Sequence, residues 1–186
     1  MPGMTRRAAD VAAHLRASFD GFLPTKKLHK LLYYCQGHHL AATGRPLFIE
    51  TVSAWDMGPV VGSLWWQEKE GGPLGTTVAL DESELNTIGY VLSRYGRLTG
   101  ADLERLTHNE PPWLTANEGR RPGESTRIGQ DLLLHYFSNE TEDSEEEPAF
   151  DSAEVSRWLA ETTADPLPHV TADTRERLKA RLADAR

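Results

Sequence analysis

Apolar residues recur at helical spacing along most of the chain. Val11, Leu15 and Phe19 stand at i, i+4 and i+8, predicting a first helix over 5–19. Leu28, Leu31, Leu32, Cys35, His39 and Leu40 share one face of a second, over 25–42. Thr25 is its expected N-cap, and Gly44 and Pro46 its stop. Lys26, Lys27 and Lys30 fall off the apolar stripe and are expected in solvent. The β-formers Phe48, Ile49, Thr51 and Val52 predict a short strand over 47–53. Gly58 and Pro59 then read as a turn opening a third helix to about Glu70, with Val60, Val61, Leu64 and Trp65 on its buried side.

The glycines of GGPLG (71–75) force a turn, and 76–80 is expected to pair with the 47–53 strand. Asp81 with Glu84, and Thr99 with Asp102, carry capping-box spacing and predict helices over 82–95 and 100–107. Leu85, Ile88, Leu92 and Tyr95, then Leu103 and Leu106, should face the core. Residues 109–124 read as a Pro- and Gly-rich loop, and 127–137 as a helix burying Ile128, Leu132 and Tyr136. The expected fold is mostly α: a compact domain of five to six helices with one small β-hairpin over 1–138, an acidic linker over 139–150, and a C-terminal helical extension over 151–186. The two short helices of that extension, one carrying Val155, Trp158 and Leu159, are too weakly apolar to stand alone. They dock either on their own domain or on a partner.

The net charge of −8 is local. Residues 139–154 hold eight acids and no base; without them the remaining acids equal the 20 bases. The stretch reads as a solvated linker or as an acidic arm competing for a basic partner surface. Either way it counts against nucleic-acid binding, which needs phosphate neutralisation. The 82–95/100–107 pair has helix-turn-helix spacing, but Asp102 and Glu104 sit where a reading helix carries donors. No run reaches membrane length, no apolar signal segment opens the chain, and one cysteine excludes an internal disulfide, so a cytoplasmic protein is expected.

Catalytic and cofactor signatures are incomplete. His108-Asn109-Glu110 has the His-x-Glu pattern of zinc deaminases, but the cysteines such a site needs are missing. His108 is expected to close a helix C-terminus instead. Cys35, His38 and His39 have ligand-like spacing without an evident fourth partner. There is no phosphate loop, nucleophile elbow or dinucleotide fingerprint. A non-enzymatic protein without cofactor or metal is expected.

Three segments, KLHKLLYYCQGHHLAATGRPLF (27–48), AWDMGPVV (54–61) and LTHNEPPW (106–113), resemble in their order the Panacea, or SocA-like, antitoxin domain, formerly described as phage-associated. The resemblance spans roughly 5–138. It implies a bacterial or phage-linked antitoxin of a type II pair that neutralises a toxin encoded by the adjacent gene through direct protein contact. A proteolytic adaptor and a DNA-binding regulator are the alternatives, and self-association is left open. Aromatic anchors dominate protein interfaces. The residues expected to meet the toxin are therefore Trp55, Asp56, Met57, Trp66 and Trp113, with Trp158 and Leu159 of the tail. Trp65 and Trp66 are adjacent, so only one can face the core, and the 54–61 and 108–114 segments are expected to lie together.

Overall fold

The computed structural model describes residues 6–145. The expectations for the 146–150 end of the acidic stretch and for the extension with Trp158 and Leu159 lie outside them. Among the described residues there are seven helices and one small sheet. The helices are α1 (Ala8–Ala17), α2 (Thr25–Thr43), α3 (Gly62–Lys69), α4 (Glu82–Tyr95), α5 (Gly100–Thr107), α6 (Pro111–Asn117) and α7 (Gln130–Glu145). The strands β1 (Val52–Trp55), β2 (Gly58–Val61) and β3 (Thr126–Arg127) lie in the order β2-β1-β3, antiparallel throughout.

Helix α2 is the axis of the fold. Every residue from Leu28 to Leu40 is buried, so no face meets solvent along that run. The apolar stripe expected from the sequence is real, but the opposite side is covered as well. Helices α4, α5 and α7 and strand β2 pack around it. Burying polar side chains requires partners, and α2 finds them on α4, α5, β2 and the segments that flank them. Gln36 accepts from the Leu47 and Phe48 amides and donates to the Phe48 carbonyl. His39 meets Thr87 and His38 meets Tyr95, both on α4. Tyr33 and Tyr34 each donate to the Glu110 carboxylate at 2.7 Å. Lys30, expected in solvent, is 1% exposed and donates to the Pro59 carbonyl. Lys26 pairs with Glu104, and Lys27 donates to the Gly96 carbonyl.

Both capping boxes form, Asp81 with Glu84 and Thr99 with Asp102. Glu84 also receives a two-pronged Arg6 guanidinium, tying the N-terminus to α4. Gly44 closes α2 at φ 68°, but the N-cap is Pro24 rather than Thr25. Pro59 does not open a helix: Gly58–Val61 is a strand, and α3 begins at Gly62. The 76–80 segment joins no sheet. It lies along α1 instead, the Thr76 amide donating to Asp10 and the Val78 carbonyl meeting His14. Within the expected 109–124 loop, Pro111 starts α6, as proline's fixed φ allows. Helix α7 runs to Glu145, past its expected end at 137, so the acidic stretch begins as helix. Its buried residues are Leu133 and Phe137, one position on from the expected Leu132 and Tyr136; Ile128 is buried as expected. Leu85 and Leu106 face outward, against expectation, while Val91 fills the core.

The α2–α7 contact is set by Gly37. A Cβ there would overlap the Phe137 ring, which packs against Tyr33 and His38. Gly37→Ala should cost about 2 kcal/mol by overpacking. Combined with Phe137→Leu, part of that loss should return as a favourable coupling in a double-mutant cycle of urea melts.

Candidate functional site

A cavity of about 600 Å³ opens beside the N-terminal half of α2. Its rim is aromatic. The β1–β2 turn brings Trp55, Asp56 and Met57, and α3 brings Trp65 and Trp66. The two β strands need only a two-residue connection because Trp55 pairs directly with Gly58. Met57 and Trp66 are 53% and 51% exposed, whereas Trp65 is half-buried. The three indoles stand edge to face in series, Trp55 to Trp65 at 5.3 Å and Trp65 to Trp66 at 4.9 Å. Lys69 lies over the last two rings.

The turn is held from outside by the segment that follows α6. Trp55 Nε1 donates to Ser125 Oγ at 2.9 Å. The Asp56 carboxylate accepts from the Arg120 guanidinium and from the Gly123 amide. Those two bonds hold its carboxyl below the usual range. Trp113 Nε1 donates to the Trp55 carbonyl at 3.1 Å, so the 54–61 and 108–114 segments do lie together. Trp113 is 8% exposed, however. It supports the rim from beneath, its ring tilted against His108 at 4.1 Å, and offers little surface of its own. His108 stands at the C-cap of α5, where its backbone amide and not its ring closes the helix, and Glu110 stands at the N-cap of α6 without a side-chain cap bond.

The floor comes from α2. Strand β2 is an edge strand, and its outward Val61 amide and Pro59 carbonyl have no further strand to pair with. His29 and Lys30 take that role. His29 Nδ1 accepts from the Val61 amide at 3.2 Å, and Lys30 Nζ donates to the Pro59 carbonyl at 3.1 Å. This pairing explains Gly58. Its φ is 98°, and a Cβ would stand 2.7 Å from Lys30 Cε. Because His29 Nδ1 accepts, its proton sits on Nε2. His29 lines the cavity floor, and that Nε2 is buried with no hydrogen-bond partner among the described residues. Leaving such a donor unsatisfied costs about 1–3 kcal/mol. Burial, with the Lys30 charge beside it, pushes the His29 imidazole down to about 3. Burial likewise brings the Lys30 ammonium down to about 8, against the opposing pull of Glu104, so it remains a cation at neutral pH.

Four of the expected contact residues, Trp55, Asp56, Met57 and Trp66, therefore converge on one groove. The floor pair was missed. A lysine at a polar helical position is normally solvated, and the carbonyl that receives Lys30 stands 29 residues further along. The Cys35–His38–His39 spacing does not become a metal site: among the described residues no three potential ligands gather. Cys35 is buried, and burial pushes its thiol up, away from reactivity.

The neutral, buried histidines make stability acid-sensitive. His38 is also held down, to about 4, by burial and the nearby Arg94. The unfolded chain takes up protons on both below about pH 6.5 and the folded chain does not, so their contribution is full above that pH and drains as pH falls toward the folded values. The wild type should lose about 3 kcal/mol through His29 alone between pH 7 and pH 4. Denaturant melts at both pH values should show His29→Gln, whose amide oxygen can still accept from Val61, losing correspondingly less.

No curated protein and no solved structure matches this chain. One family model does, described as antitoxin SocA-like, Panacea domain, over residues 28–114. That span runs from the first buried turn of α2 into α6 and contains the floor and the whole aromatic rim of the groove. Over residues 28–114 the chain is thus similar to the Panacea domain of SocA-like antitoxins.

Proposed function

We propose that this protein is the antitoxin of a type II pair, acting in the cytoplasm of its host and neutralising the toxin encoded beside it by direct contact and without a chemical step. The family match supports an antitoxin-type role. The groove is the observation that carries the contact reading. A tryptophan and a methionine stand half-exposed on one rim, the residue types that most often anchor interfaces. Backbone and side-chain bonds fix the turn that presents them, and preorganisation lowers the entropic cost of binding. Trp66 and Met57 enter the toxin surface, Trp55 and Asp56 hold the rim in shape, and Trp113 braces it. Trp158 and Leu159 extend the contact.

Co-expression with the product of the adjacent gene tests this. The neighbour alone should arrest growth, and this protein should restore it while co-purifying with it. Trp66→Ala should weaken the complex about 10- to 100-fold with melting temperature nearly unchanged, since the ring is half-exposed. Trp113→Ala should instead lower stability by about 3 kcal/mol. Truncation after Glu145, where α7 ends, should keep the domain folded and lower affinity if the tail makes contact. A harmless neighbour, or rescue without a complex, removes the direct-contact reading.

A further inference from the structure

We propose that the groove receives an acidic side chain of the partner toxin, carried beside an apolar anchor, with its carboxylate accepting from His29 Nε2–H beside the Lys30 ammonium. The proposal rests on the antitoxin reading and specifies what the groove recognises. Three observations carry it. First, both floor groups are donors. His29 lines the cavity, and its Nε2 is buried with no hydrogen-bond partner among the described residues. Lys30 has three N–H groups, and the Pro59 carbonyl takes one. Second, among the described residues no carboxylate is hydrogen-bonded to the floor pair, and Glu104 acts on Lys30 only through its charge. Glu104 is engaged by Lys26. Asp56 is engaged by Arg120 and Gly123, and Glu124 by the Arg121 amide. A buried cation with a single neutral acceptor is best completed by an anion. Third, the walls above the floor are Trp55, Met57, Val60, Trp65 and Trp66, which suit an apolar neighbour of that carboxylate.

The full-length protein can be probed without the toxin. By tryptophan fluorescence and calorimetry, 3-phenylpropionate should bind at least about tenfold more tightly than 3-phenylpropanamide. Phenethylamine should not bind. In Lys30→Met, which keeps the stem and removes the charge, the preference for acid over amide should fall to near one while the thermal melt persists. Equal binding of acid and amide, no binding up to about 10 mM, or a preference that survives Lys30→Met would each overturn the proposal. With the co-expressed toxin, one Glu→Gln or Asp→Asn change in it should weaken the complex at least tenfold against the wild type and have little effect against Lys30→Met. A complex of full strength with Lys30→Met removes the acidic side chain and leaves the antitoxin reading standing. Failure of the wild-type complex removes both, whatever phenylpropionate does.

Discussion

The constraint on which this fold depends is the burial of α2 on every side with polar side chains still attached. A helix carrying three His, three Lys, two Tyr and one Gln is not buried by hydrophobicity alone. Apart from His29 Nε2, its buried polar tips are met, and the residues that meet them are the ones that place the neighbouring elements. Gln36 closes the chain at Leu47 and Phe48 into a fixed crossing. Tyr33 and Tyr34 fix the start of α6 through Glu110, whose carboxyl is raised by burial and restrained by those two hydroxyls. Tyr34 stacks on Tyr95 at 3.8 Å, which brings α4 alongside. The apolar core fills the space that these contacts define.

The groove follows from the same arrangement. His29 and Lys30 stop the edge of β2, so the strand needs no further neighbour and the sheet can end there. That leaves the β1–β2 turn projecting. The segment around Arg120 to Ser125 then holds the turn from the other side through Asp56 and Trp55. The segment therefore acts as a clamp, and the aromatic rim keeps its geometry without belonging to a regular element along its whole length.

Much of this was legible in the sequence. The capping boxes marked the starts of α4 and α5 because their signal is local, three residues wide and chemically specific. The gathering of Trp55, Asp56, Met57 and Trp66 followed from their place around one turn and the next helix. Where the reading failed, a distant partner decided the outcome. Pro59 sits in a strand because Ala54 pairs with it, although a Gly-Pro pair equally suits a helix start. The 76–80 segment has strand-forming residues, but Asp10 and His14 take its backbone groups. Leu85 and Leu106 have apolar character and helical spacing, yet the neighbours around α2 leave those positions outside. Lys30 is the sharpest case, since its burial depends on a carbonyl across the fold and on a glycine that leaves room for its stem.

The placement of Lys30 also bears on why the groove exists. An apolar side chain of similar length in that position would fill the same space without desolvating a charge, and such replacements are often neutral or stabilising. Capping the Pro59 carbonyl does not by itself require a cation, because a neutral donor would serve. His29 repeats the pattern: one nitrogen has a structural task, and the other is buried with no partner among the described residues. Two adjacent residues thus carry polar capacity beyond what the fold uses, at one floor, under one aromatic rim. Local departures from the most stable choice concentrate where a protein binds. Here both departures are of the same chemical kind, surplus hydrogen-bond donors, and they face the same space. The fold explains one bond from each; the remaining donors are explained by what enters the groove.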